Sequence, residues 1–368
     1  MRLYYHLLRF SNIVSSVVLG GMIISVSPVF AHGPEQILSE EALIEELVDL
    51  IESGEELITA GILVEALSRY QHALSLDQEN PKIFSAIGYI QALMGNFQAA
   101  ASAFQNAIEL EPQNASFYFG LAHAYSRLED YEAAAQTYRQ VLELQPSYLQ
   151  ARLGLGAVLF RHENFEEALT VYREISQQHP RNLQAAEAIG LTLLQLGDLN
   201  AAISALEYAA TLDSSSSRIQ TSLGLAYLET GNVEAGLAIF RKVAEADPQN
   251  IDAQLQIGRI LWQQGDLEAA LEQYQQIVRL QPDSIAARDA ISDIFFEQQN
   301  VLMTIVAHRE LLELAPDHAA GYYHLGIALE ARGRTAEAIE TLQKARSLFL
   351  EQGNEEGTQI VNELLQKL

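Results

Sequence analysis

Prolines fall on a fixed grid along this chain. Pro112, Pro146, Pro180, Pro248, Pro282 and Pro316 stand 34 residues apart, or a multiple of 34, and Ser214 occupies the one missing place. Glycines keep the same step in two series, one through Gly54, Gly88, Gly156, Gly190, Gly224, Gly258 and Gly326, the other through Gly61, Gly95, Gly197, Gly231, Gly265 and Gly333. Alanines and aromatics follow in register, as at Ala270 and Tyr274. A period of this kind excludes a single globular core. It requires supersecondary units that bury their apolar faces only against their neighbours. Nine units result, beginning at Leu47, Pro81, Ala115, Leu149, Leu183, Ser217, Ile251, Ile285 and Ala319 and ending at residue 352.

Each unit reads as two short helices. Within 251–284, Gln254, Ile257, Gly258 and Leu261 step by three and four and form one stripe, and Leu267, Ala270, Leu271, Tyr274 and Ile277 form a second. Gly265 between them suits a tight turn. Pro282 cannot continue a helix and separates one unit from the next. The closing stretch 353–368 places Ile360, Val361, Leu364 and Leu365 among polar residues and predicts a helix that caps the last core face.

With these residues in register over 47–352, the chain resembles the tetratricopeptide repeat family. The resemblance implies an all-α, right-handed solenoid of about nine helix-turn-helix units in which the first helix of each pair lines a concave groove. Carrying the family's groove positions onto this sequence gives Phe119, Arg127, Leu153, Phe160, Arg161, Leu191, Leu194, Leu225, Leu228, Leu255, Arg259 and Trp262, with Lys82 and Arg218 as further cations and Glu52 and Glu55 in the first unit. An apolar groove with scattered cations suits an extended or helical peptide. The lysine and asparagine clamp of the family's chaperone-binding members is missing, since Ser85 and Tyr89 stand in its first places.

Unit 285–318 departs most from the pattern. Ser292 and Gln299 replace glycines, Thr304 replaces the alanine, and His308 replaces the aromatic and reads as a core substitute. The same unit sets Asp289, Asp293 and Glu297 at i, i+4, i+8 on one helix face. Like charges at that spacing cost about 0.2–0.5 kcal/mol per pair in a helix, and a cation reverses the sign. His324 of the next unit takes a place that, by the family's pattern, lies beside Asp293. Carboxylates with an imidazole suit a divalent cation such as Mn²⁺ or Ca²⁺. Arg259 offers Asp289 an alternative partner. His72, His123, His162, His179 and His318 show no ligand spacing.

The first 31 residues are of another kind. Arg2 and Arg9 precede an uncharged run over Ile13–Val26, and Val29-Phe30-Ala31 resembles a peptidase site, the pattern of a cleaved secretory leader. Left uncut, residues 13–30 are long enough to anchor the chain in the inner membrane. Residues 32–46 form an acidic lead-in helix by the same reading. The chain carries a net charge of −26, which disfavours nucleic acid as a partner. It has no cysteine, so disulfide, thiolate-metal and cysteine-nucleophile chemistry are excluded. No phosphate loop, nucleophile elbow or HExxH occurs, and an enzyme is not expected.

Three functional expectations follow. The first is an exported, periplasmic scaffold that holds protein segments in its groove and assists assembly of a complex. The leader, the nine units, the absence of cysteine and the acidity together resemble the cyanobacterial processing-associated branch of the family. That resemblance implies a second expectation, a manganese-carrying role in photosystem II assembly. The third is a membrane-anchored subunit of a secretion or pilus machine.

Overall fold

The computed structural model describes residues 40–368. The expected leader, and residues 32–39 of the expected lead-in, lie outside them. Among the described residues there are 19 helices and no strand. They group into two compact bodies, one reaching to Ile175 and one from Ser176 to Leu368.

The first body contains α1 (Glu40–Thr59), α2 (Leu63–Leu76), α3 (Pro81–Leu93), α4 (Phe97–Leu110), α5 (Ala115–Arg127), α6 (Tyr131–Leu144) and α7 (Leu149–Arg161), and most of α8 (Phe165–Gln178). The helix α1 runs without a break through position 46, so its described part is one rod rather than a lead-in followed by a separate helix. Successive pairs α1–α2, α3–α4 and α5–α6 are hairpins, and each second helix also packs on the first helix of the next pair. This is the stacking that an amphipathic pair too small to bury its own face requires.

The second body contains α9 (Leu183–Gln195), α10 (Leu199–Leu212), α11 (Ser217–Glu229), α12 (Val233–Ala246), α13 (Ile251–Gln263), α14 (Leu267–Leu280), α15 (Ile285–Glu297), α16 (Val301–Leu314), α17 (Ala319–Ala331), α18 (Thr335–Glu351) and α19 (Glu355–Leu365). The same alternation of hairpin and stacking contacts runs through it. At its end α19 buries Val361 against Leu342, Leu348 and Phe349, while Ile360 faces outward.

Local chemistry explains the regular helix limits. Asn250 accepts a bond from the Ala253 N–H at 3.0 Å, and Asp266 accepts one from the Ala269 N–H at 3.1 Å, so each starts its helix by capping an otherwise unpaired donor. The turn inside each hairpin demands a left-handed residue. Glycine supplies it at Gly265 (φ 79°), yet Glu129, Glu163 and Gln299 adopt the same conformation at φ 62°, 61° and 56°. The stack therefore dictates the turn even where the residue resists it.

The core repeats one contact. Tyr274 is buried against Gly258, where a Cβ would come within 2.8 Å of the ring, so α13 and α14 approach as closely as a missing side chain allows. Unit 285–318 replaces this glycine–aromatic pair with Ser292 and His308, both fully buried.

Candidate functional site

The first-helix face of the second body carries a row of large side chains at one repeat position. Leu194, Leu228 and Trp262 recur every 34 residues, and all three are half-buried. Leu191, Leu225 and Leu255 are half-buried beside them. Leu194, Leu225, Leu228, Leu255 and Trp262 rest on the core yet keep part of their surface open. The Trp262 indole N–H donates to Glu297 Oε2 at 2.7 Å, and its ring meets Tyr274 edge-on at 6.4 Å, which fixes its orientation. Arg259 is exposed and donates to Gln256 of its own helix rather than to Asp289. Arg218 is exposed, and its guanidinium reaches back to the buried Glu187.

The first body treats its groove candidates differently. Phe119 stacks on Tyr148 at 5.0 Å and meets Tyr138 edge-on at 5.9 Å, and it is buried. Leu153 is buried as well. These two positions therefore keep less open surface than Leu194, Leu228 and Trp262. Phe160 is half-buried against Phe165, Arg161 is exposed, and Arg127 lies over the Phe97 ring at 4.8 Å.

A second constellation lies where α15, α16 and α17 meet. Asp293 Oδ1 is 2.9 Å from His324 Nδ1 and 3.8 Å from His308 Nε2. One ligand atom from each of the three residues lies within 4.8 Å of the others. His308 is fully buried, and its Nδ1 is 3.0 Å from the Thr304 carbonyl. A carbonyl only accepts, so Nδ1 carries the hydrogen and donates it. That leaves Nε2, which has no hydrogen-bond partner, directed at the carboxylate. His324 is held by a Phe296 ring stacked on it at 4.4 Å and by Tyr323 at 5.4 Å. Burial by itself would raise the Asp293 carboxyl, but the two imidazoles more than offset it and hold that group well below the usual carboxylate range.

The expected metal set was Asp289, Asp293, Glu297 and His324, and only Asp293 and His324 come together. Glu297 is taken up by Trp262. Asp289 faces His318, with Nε2 at 3.6 Å, and burial raises its carboxyl, His318 opposing and Asp293 adding to the rise. His318 shows no ligand spacing in the sequence, and in the structure it meets this one carboxylate. Its other ring nitrogen caps α17 by accepting the Gly321 N–H at 3.0 Å. His308 enters the constellation although its sequence position reads as core. The repeat grid contains the missing signal: Tyr274 covers Gly258, so His308 must cover Ser292, whose chain neighbour is Asp293.

The tetratricopeptide repeat pattern matches residues 86–147, 119–182, 187–251, 221–285, 255–301 and 307–350. A search of curated proteins gives no match. Among solved structures, a tetratricopeptide repeat protein from Parabacteroides merdae is 17% identical, covers 68% of this chain and 99% of its own, and superposes with a TM-score of 0.53. PilF of Pseudomonas aeruginosa is 20% identical over 58% of this chain and 96% of its own, with a TM-score of 0.47. YrrB, described as a repeat protein with an unusual peptide-binding site, is 20% identical over 50% of this chain and 95% of its own, with a TM-score of 0.44. In all, 486 solved chains match, so the likeness establishes the fold and selects no function.

Proposed function

The chain belongs to the tetratricopeptide repeat family, and on that premise we propose that it is a non-enzymatic scaffold that holds an extended protein segment against the first-helix face of residues 176–368. The observation that carries this reading is the row Leu194, Leu228 and Trp262, each half-buried and each one repeat from the next. A segment laid across the row covers apolar surface at every step, at about 25 cal/mol per Å² removed from water. The exposed Arg259 beside the row offers a cation for a carboxylate on the segment. Membership of a repeat family that typically serves as a scaffold supports a binding role.

In its finer form the proposal makes this an exported assembly scaffold. The leader pattern of residues 1–31 supports export, and a strongly acidic chain without cysteine suits a compartment where it must stay soluble without disulfides.

The test is selection of a random peptide library on the full chain, followed by affinity measurement against Leu228→Asp. Enriched peptides that lose at least about tenfold in affinity to the variant support the reading, since a charge placed in an apolar contact leaves it desolvated. Enriched peptides indifferent to Leu228→Asp would place binding elsewhere.

A further inference from the structure

We propose that Asp293, His308 and His324 form a binding site for one borderline divalent cation of the zinc type. The site is independent of the peptide reading, and its residues lie on α15, α16 and α17.

The donor set is the first argument. Two imidazole nitrogens and one carboxylate oxygen match zinc and its neighbours better than calcium or magnesium, which prefer oxygen throughout. Ligands about 2.0–2.1 Å from a tetrahedral zinc stand about 3.3 Å from one another. Here the two separations from Asp293 Oδ1 are 2.9 Å and 3.8 Å, on either side of that value. Small side-chain movements close the triangle on an ion and leave a fourth position for water or a partner's side chain.

The buried His308 is the second argument, and it is independent of the carboxylate. Its Nδ1–H is committed to the Thr304 carbonyl at 3.0 Å, which is how ligating histidines are commonly oriented, with the far nitrogen left as a lone pair. That far nitrogen, Nε2, is buried without a hydrogen-bond partner and points at the Asp293 carboxylate. Where Nε2 carries no hydrogen, its lone pair faces the carboxylate at 3.8 Å with no other partner, and a cation between them converts that repulsion into coordination. A tyrosine or phenylalanine occupies the corresponding place in most other units, as at Tyr274 and Phe240, so a core needs no histidine there.

The third argument is the hold on His324. The Phe296 ring stacks on it and Asp293 bonds its Nδ1, so two of the three ligands are oriented without an ion. The ion takes the place of the hydrogen between His324 Nδ1 and Asp293 Oδ1, and the neutral ring then carries its one hydrogen on Nε2.

The full chain, stripped with chelator and dialysed, is titrated with Zn²⁺, Co²⁺ and Mn²⁺. One saturable Zn²⁺ equivalent is expected, with Co²⁺ giving the visible absorption of a four- or five-coordinate site and Mn²⁺ binding more weakly, as the divalent series orders them. His308→Phe restores the repeat's own aromatic and should keep the helical circular dichroism while weakening Zn²⁺ by at least about 100-fold. His324→Gln serves as a second variant if the first is poorly folded, and the same loss is expected. Absence of saturable Zn²⁺ binding, binding unchanged in these variants, or Mn²⁺ bound more tightly than Zn²⁺ would overturn the assignment.

Discussion

The Arg218 guanidinium donates to Glu187 Oε2 across 31 residues, tying α11 back to α9. The pair is asymmetric. The Glu187 side chain is 4% exposed and that of Arg218 is 72% exposed, and the second carboxylate oxygen, Oε1, has no hydrogen-bond partner. Burial raises the Glu187 carboxyl, and Arg218 pulls it back. A carboxyl raised above its ordinary 4.5 binds more protons folded than unfolded, so its contribution to stability falls as pH rises through that window. Urea midpoints compared at about pH 5 and about pH 8 should drop less in Glu187→Gln than in the wild type, and drop more in Arg218→Ala. Parallel profiles for all three proteins would show that the carboxyl is not the group responsible.

Gln299 holds φ at 56° in the turn between α15 and α16, where the other hairpins mostly use glycine. The left-handed conformation costs a side-chain-bearing residue about 1–2 kcal/mol, partly offset by the greater freedom of an unfolded glycine. Gln299→Gly should therefore stabilise the chain by about 1 kcal/mol, and Glu129→Gly and Glu163→Gly should do likewise. Chemical denaturation reads this directly. A lowered midpoint would mean that the Gln299 side chain makes a contact worth more than the backbone strain.

Gly258→Ala should have the opposite sign. The new Cβ would stand 2.8 Å from Tyr274 Cζ, and the ring has to move. Where alanine does occupy the equivalent place, at Ala122, the Tyr138 ring leans towards Gly154 of the next pair. The residue in that role for Tyr274 is Ala290, which is buried and leaves no such room. The expected loss is about 1–3 kcal/mol with helix content retained. A neutral result would mean that α13 and α14 can separate at no cost.

The helical hairpins were legible because three residue types keep one step: proline between units, glycine at the turn and an aromatic against a glycine. The left-handed turn at Gln299 is legible only through that step, since glutamine by itself argues against it. The shared helix face of Leu194, Leu228 and Trp262 follows from the 34-residue step, and each keeps part of its surface open. Phe119 and Leu153 hold positions that the family's pattern assigns to the groove yet are buried, Phe119 under the stacked Tyr148 ring, which the spacing alone does not reveal. The acid row on α15 read as a unit, yet its three carboxylates diverge. Glu297 reaches Trp262, Asp289 faces His318, and Asp293 alone meets two imidazoles. A spacing of four residues shows that side chains share a face, and the rotamers and neighbouring helices decide which partners they find.

The scaffold reading is tested most directly by Trp262, the single tryptophan of the chain, which lies in the proposed contact row. A peptide enriched on the full chain is titrated while indole emission is followed. The account predicts a saturable change in emission with the same midpoint as binding, and loss of both in Leu228→Asp. A peptide that binds fully while the emission of Trp262 stays constant, and binds Leu228→Asp equally well, would contradict it.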